Sequence, residues 1–545
     1  MCGILGCISE HVDDTRFARA LDTLAHRGPF HRGQLRRGAL RLGMTRLPMS
    51  SSVDYPLPVE VNGWLATYNG EVYESTAGGL PAEVARVIDA IRAGGEFPDG
   101  MYAFAMLEPS GARLHLGRDV FGIKPLYYRH DAQRGEFAFA SELPALLALL
   151  GPQRLDRESV ADVVATGAVL QYRTMFEGVQ VLPPGTLLSF DVSAPRQAPS
   201  LTALRLAGHE AAGAIDAADA IDDLGAALDS SIERCSDTFR DVGLLLSGGI
   251  DSTLVNACLP PDTARFHVSV SDSGDHPPPQ PGLRVCELGG DDFWPLARRA
   301  VRSYAAPTRM SSLLMYQALA DLVRQHDSYC VLLGEGADEL FWGYPRHLAM
   351  DECDFTLTPR RLAGQYFGDF DTKSGWLDPA LAQTVLQRVD AVTADLYTGD
   401  LDDAIWHFDL HYSLEPLLRR ADHLLMSRTV EARLPFLHGR VPAIARGLGR
   451  ERLAQHQQKA PLQALIRRRV PDYPIEKKRH FRLPFTKWAG LVDEMRDFLR
   501  RGLDELHALG LTRLSEPDVQ RLDGSDAFTL TTLLLWRQAF SEHLQ

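Results

Sequence analysis

The sequence predicts an α+β N-terminal unit of two packed antiparallel sheets with helices, followed by an α/β unit with a parallel sheet and a helical C-terminal part. Three observations predict it. Up to about residue 195, short segments with period-two alternation succeed one another, punctuated by Gly, Pro and Asp. From Val242 onward, buried strand candidates alternate with helical stretches, the signature of a parallel sheet. Beyond Leu357 only helical patterning continues. A chain of 545 residues exceeds what one hydrophobic core holds, so the boundary is set at 200/201, giving units 1–200 and 201–545.

In the first unit, strands are expected at GILGCIS, GWLATYNGEVY, AFAML, LHLGRD, PLYYRH, EFAFAS and GTLLSFDV, and helices near Asp14–Ala25 and Pro81–Ala93. Residues 194–212 lose this pattern and read as a linker. A helix is expected from Ile215 through Cys235. The strands VGLLLS (Val242–Ser247), FHVSVS (Phe266–Ser271) and YCVLLG (Tyr329–Gly334) follow. The run HPPPQPG at residues 276–282 is expected to be a stiff surface loop.

Composition narrows the function. Asp and Glu outnumber Lys and Arg by 71 to 57, a formal net charge of −14 that argues against nucleic acid or an anionic membrane as partner. The seven cysteines form no paired CxxC motifs, so neither a zinc site nor a disulfide framework is expected. No basic leader precedes an apolar run, and no stretch approaches the ~18 apolar residues of a membrane span. A cytoplasmic enzyme acting on small molecules is the expectation.

Cys2 follows the initiator Met. Removing that Met would make the Cys2 α-amino group, which titrates near ~8, a base for its own thiol. Alone, Cys2 carries little weight, Asn69-Gly70 reads as a favoured hairpin turn, and Arg46 as a surface charge. The order of the surrounding motifs changes this: HRGP (His26–Pro29), TRL (Thr45–Leu47), YNGE (Tyr68–Glu71), DGMYAFAM (Asp99–Met106) and RDVFGIKPLYY (Arg118–Tyr128). Together they resemble the class II, N-terminal-nucleophile glutaminase half of asparagine synthetases. The resemblance implies that Cys2 attacks the glutamine side-chain amide, that Asn69 and the Gly70 N–H stabilise the oxyanion, and that Arg46 holds the glutamine α-carboxylate. It also implies an acid for the α-ammonium. Pro81 stands near that position, which leaves Glu71, Glu74 or Glu83 as substitutes, and Phe30 replaces the acid of the usual RGPD.

The run LLLSGGIDST (Leu244–Thr253) is a buried strand, a glycine turn and a helix start, a cradle for phosphate. Leu246, Ser247, Gly248, Gly249, Asp251 and Ser252 form it, and no Walker A spacing competes. It resembles the pyrophosphate-binding loop of ATP pyrophosphatases. GEGADELFWGY (Gly334–Tyr344) adds three acids after another strand. Asp251 and Asp338 are the expected Mg2+ ligands, and Glu335 would orient the acceptor or accept a proton from the attacking amine. Further on, ADHLLMSRTVEARLPFLH (Ala421–His438), QKAPLQALIRRRVP and IEKKRHFRLPF continue the resemblance, with Lys459 and Lys478 implied at the departing pyrophosphate.

The resemblance therefore implies glutamine-dependent amide synthesis, with ATP activating a carboxylate as its acyl-adenylate and glutamine donating ammonia. The acceptor is aspartate or a specialised acid; departures at His438 and Trp342, and the absence of the usual acidic helix between the second and third strands, point to a specialised carboxylate rather than aspartate. The alternative is an amide or lactam ligase of β-lactam-synthetase or peptide-cyclase type with a weakened glutaminase half. A homodimer is left open.

Overall fold

The computed structural model describes all residues except 1, 51–54, 74–77, 207–216, 272–279, 352–357, 397–400, 450–456, 476–482, 486 and 489. Lys478, Glu74 and much of the proline-rich run lie outside the described residues.

Two six-stranded sheets build the first unit. One runs Val179–Val181, Tyr127–Asp131, Glu136–Ala140, Cys2–Ile8, Leu40–Arg46, His31–Arg37. The other runs Ser200–Ala203, Thr186–Asp191, Arg113–Arg118, Gly100–Leu107, Trp64–Val72, Val59–Val61. All their pairings are antiparallel. Period two sorts the strand Cys2–Ile8: Cys2, Ile4 and Ile8 join the core between the sheets, while Leu5 and Cys7 pack outward with Phe17, Leu21 and Leu143. Phe137 of one sheet stacks on Phe190 of the other at 4.6 Å between ring centroids. Asp13 caps the helix Asp14–Asp22 through the Arg16 N–H.

The second unit holds a five-stranded, fully parallel sheet in the order Leu283–Leu288, Arg265–Val270, Val242–Leu245, Cys330–Leu332, Glu431–Arg433. Helices fill the connections and the C-terminal part. The outer helical core of the first unit runs on into this layer, where Phe176 meets Trp536 edge-on at 5.5 Å. Among the described residues, no helix is long and apolar enough to cross a membrane.

Several expectations need correction. The supposed linker contributes Ser200–Ala203, an edge strand, and Arg205–Leu206, which pairs in parallel with Glu96–Phe97. Ser200–Ala203 is exposed on both faces, so no alternation marks it. The Arg-rich stretch 31–46 is a hairpin turning at Gly38-Ala39. Helices Leu143–Leu150 and Arg157–Thr166 were not anticipated. Between the second and third predicted parallel strands lie another strand, Leu283–Leu288, and helices Phe293–Tyr304 and Ser312–Gln325. That connection is therefore far more than a proline-rich loop.

Buried ion pairs join the two units, and several reach one helix, Glu415–Met426. Arg27 Nη1 donates to Glu142 Oε1 and Asp422 Oδ2, both at 2.8 Å, and its Nε donates to the Cys2 carbonyl at 3.2 Å. Arg118 reaches Glu415 at 3.0 Å, and Tyr127 Oη lies 2.9 Å from His423 Nε2. Burial opposes ionisation of Glu142, but His26 and Arg27 outweigh it and hold the carboxyl down at about 2.

Glu83, on the inner face of helix Gly79–Ala93, is a contrasting case. Burial, reinforced by Glu71, pushes its carboxyl up to about 8 despite bonds from the Val72 N–H and Ser50.

Two predictions follow from these buried charges. Arg27→Met would leave Glu142 and Asp422 buried without their shared cation, at a cost of about 3–5 kcal/mol. The expected outcome is a lower melting temperature with separate transitions for the two units; an unchanged single transition contradicts the assignment. For Glu83 the folded-state pKa lies above the unfolded one. Stability is thus fullest below the ordinary carboxylate range and declines as pH rises toward 8. Glu83→Gln should raise the melting temperature at pH above 8 by about 2–4 °C and leave it nearly unchanged in acid. Thermal melts across pH check this, and an equal effect at all pH values contradicts it.

Candidate active site

Cys2 begins the central strand of the first sheet and is buried against the inner core. Burial pushes its thiol above the ordinary value, with Arg46 pulling the other way. Arg46 is the register partner of Cys2 on the neighbouring strand, and its guanidinium faces the Tyr55 ring at 5.4 Å. The Cys2 backbone nitrogen donates to Asn69 Oδ1 at 2.8 Å. That bond fixes the amide orientation of Asn69 and leaves Nδ2, a buried donor, without a hydrogen-bond partner among the described residues. A buried unsatisfied donor is costly unless a ligand uses it. Gly70 follows at φ +141°, where an added Cβ would stand 2.0 Å from the Met101 carbonyl oxygen. Only glycine fits there. Asn69-Gly70 is therefore mid-strand, paired with Ala103 and Tyr102, and forms no hairpin turn.

Glu71, the next residue, is buried. Its Oε2 accepts from Arg433 Nη2 at 2.5 Å, inside a buried cluster that includes Glu431. Arg433, on the last strand of the parallel sheet, reaches across to Glu71 and makes it part of an ion pair between the units, while Glu71 Oε1 has no hydrogen-bond partner among the described residues. The helix Gly79–Ala93 has no acid in its first turn. Glu83 is the buried carboxyl nearest in sequence, and it is already bonded to Val72 and Ser50.

The second centre lies at the C-terminal ends of the parallel strands, where ligands of such sheets bind. Val242–Leu245 leads through Leu246, Ser247, Gly248 and Gly249 into helix Ile250–Asn256. Ser252 Oγ organises the loop: it accepts from the Ser247 N–H at 3.2 Å, lies 3.0 Å from Ser247 Oγ and donates to the Gly249 carbonyl at 3.2 Å. Gly334, after the strand Cys330–Leu332, lies against Asp251. Lys459 Nζ bonds both oxygens of Asp251 at 2.6 Å and Asp338 Oδ1 at 2.8 Å. Burial alone would lower the Lys459 pKa, but Asp251 and Asp338 outweigh it and raise it above the ordinary lysine value. A Cβ on Gly343 would sit 1.9 Å from Asp338 Oδ1 and 2.2 Å from Lys459 Cε, so this residue must be glycine for the trio to close.

Asp251 and Asp338 thus reach one point charge together, which suits hard carboxylate donors to a divalent cation. Among the described residues no group of three or more His, Cys, Asp or Glu could hold a metal ion. The two carboxylates would need phosphate oxygens to complete a shell. Glu335 Oε1 accepts from Tyr316 Oη and from Arg420 Nη2. Sequence reasoning missed both partners, as well as Tyr473, whose hydroxyl donates to the Gly248 carbonyl at 3.1 Å. No motif marks them; they arrive from distant helices and loops.

The two departures singled out in the sequence are both buried. His438 is buried, with Nδ1 at 2.9 Å from Asp99 Oδ1, and the Gly439 N–H donates to Asp99 Oδ2 at 2.8 Å. It is a contact between the units. Trp342 is fully buried beside His347, with ring centroids 5.8 Å apart.

Comparison with known proteins agrees with this layout. The family description Asparagine synthase matches residues 223–527, and Glutamine amidotransferase domain matches residues 1–77 and 94–199. A Mycobacterium tuberculosis protein designated a putative glutamine-hydrolysing asparagine synthetase is 27% identical over 82% of this chain and 77% of its own length. The glutamine-hydrolysing asparagine synthetases of Mus musculus and Homo sapiens are each 25% identical over 45% of this chain and 46% of their own. The chain belongs to the asparagine synthase family, with a glutamine amidotransferase domain at its N-terminal end.

Proposed function

We propose that this chain makes an amide from glutamine, ATP and a carboxylic acid, with nitrogen release in the first unit and carboxylate activation in the second. The observation that carries the reading is Asn69: its Oδ1 is committed to the Cys2 nitrogen, and its Nδ2 is left over, a buried donor with no partner among the described residues. With Met1 removed, the nitrogen already placed on Asn69 becomes the α-amino base for the Cys2 thiol. The thiolate sulfur adds to the glutamine amide carbon. Asn69 Nδ2 and the Gly70 N–H then stabilise the oxyanion, worth about 3–4 kcal/mol for one such donor. Arg46 pairs with the α-carboxylate. Ammonia leaves, and water releases glutamate from the thioester.

In the second unit, Leu246–Gly249 and Ser252 cradle the ATP phosphates and Lys459 balances the charge of the departing pyrophosphate. Mg2+ held by Asp251, Asp338 and phosphate oxygens would screen the triphosphate. The acceptor carboxylate attacks the α-phosphorus and pyrophosphate leaves. Ammonia then forms the C–N bond, AMP departs with the acyl C–O electron pair, and Glu335 takes the surplus N–H proton. Aspartate is the proposed acceptor. A specialised acid is the other acceptor to be tried beside it.

One observation favours a second reading, a ligase of β-lactam-synthetase or peptide-cyclase type with a weakened glutaminase half. It is the absence of an acid in the first turn of Gly79–Ala93.

The two readings separate in one pair of assays. With glutamine alone, the wild type should form glutamate and Cys2→Ala should fall by ~10³-fold or more. With ammonium chloride, ATP, magnesium chloride and a panel of carboxylates including aspartate, both proteins should release pyrophosphate within about twofold of each other. Absence of glutamate from the wild type excludes the glutaminase. Pyrophosphate only with a larger acid that carries its own amine supports the ligase. Lys459→Met should lower pyrophosphate release about 10²-fold with glutamate formation retained; an unchanged rate contradicts its role.

A further inference from the structure

Glu335 is held from one side only. Its Oε1 takes two donors, Tyr316 Oη and Arg420 Nη2, while Oε2 has no protein partner among the described residues. The holders form one packed unit. The Arg420 guanidinium lies over the face of the Tyr316 ring, with Cζ 4.0 Å from its centroid. Its Nη1 donates to Ser312 Oγ, one helical turn before Tyr316 on the helix Ser312–Gln325. Both Arg420 and Tyr316 are buried, whereas the Glu335 side chain keeps 15% of its surface exposed at the end of the parallel strands. Burial, with Glu335 next in effect, raises the Tyr316 hydroxyl well above its ordinary pKa, so it stays a donor.

Resting on the role proposed above for Glu335, we propose that Arg420 and Tyr316 are positioning residues for the amide-forming step. They anchor Glu335 Oε1 so that Oε2 alone is presented to the nitrogen that attacks the acyl-adenylate. The planar guanidinium does three things at once: one nitrogen on Ser312, one on Glu335 and its face on Tyr316. A lysine supplies only a point charge and cannot repeat this. The same helix carries Asp422, which faces the other way and holds Arg27 against the Cys2 carbonyl. The anchor of Glu335 is therefore built on the element that also fixes the Cys2 strand.

The test uses full-length protein with ATP, magnesium chloride, ammonium chloride and the carboxylate that gives pyrophosphate in the wild-type panel. Tyr316→Phe, Arg420→Lys and Arg420→Met should lower kcat for amide formation by about 10- to 100-fold, with KM for ATP within about twofold. Glutamate formation at Cys2 should be retained, which reports an intact fold. Combined with Glu335→Gln, each substitution should add little further loss, since an anchor has no effect once its carboxylate is gone. Losses that multiply with that of Glu335→Gln, or a rise in KM with kcat unchanged, overturn the positioning role while leaving the proposed function standing. A wild-type rate in Glu335→Gln, or no pyrophosphate with any carboxylate, overturns the role of Glu335 and the anchor with it.

Discussion

One buried cation, Arg27, sets the geometry on which both centres depend. It bonds the Cys2 carbonyl, Glu142 behind the first sheet and Asp422 on a helix of the second unit. A buried guanidinium is tolerated only when its donors are met, and here three partners from three segments meet them. Cys2 therefore cannot shift relative to helix Glu415–Met426 without leaving a charge unpaired. The same helix bonds Arg118 through Glu415, Tyr127 through His423 and Glu335 through Arg420.

Other contacts between the units repeat the pattern. Arg433 sits between Glu71 and Glu431, and Asp99 takes both His438 and the Gly439 N–H. Such pairs add little net stability compared with an apolar contact of equal area, but mismatching them is expensive. They act by excluding other arrangements of the two units. For the proposed passage of ammonia between the units a fixed arrangement would matter, because a molecule released to water becomes unreactive ammonium.

How much of this was legible in the sequence depends on distance along the chain. The Ser247–Ser252 loop, the parallel strands that flank it and the buried strand at Cys2 are local patterns, readable from apolar runs and glycine spacing. Asn69 and Gly70 were legible as site residues only through the order of neighbouring motifs; alone they read as a turn, and they prove to lie mid-strand. The ion-pair partners of Glu71 and His438 were not legible because they are remote. Arg433 is 362 positions from Glu71, and Asp99 is 339 positions from His438. No periodicity encodes such a pair. The strands His31–Arg37 and Ser200–Ala203 were missed because both of their faces carry polar or exposed residues. Tyr316 and Arg420 stand in ordinary helical stretches, and only packing brings them to Glu335.

The central claim is that nitrogen freed at Cys2 reaches the acyl-adenylate held near Glu335 inside one fixed body. Its most direct measurement is isotopic. The enzyme would be supplied with ATP, the acceptor carboxylate, glutamine labelled at the side-chain nitrogen and an excess of unlabelled ammonium chloride at a pH where ammonium dominates. The account predicts that the amide product carries the label from glutamine, with glutamate and pyrophosphate formed in equal amounts. Product labelled only in proportion to the bulk ammonium pool would contradict it.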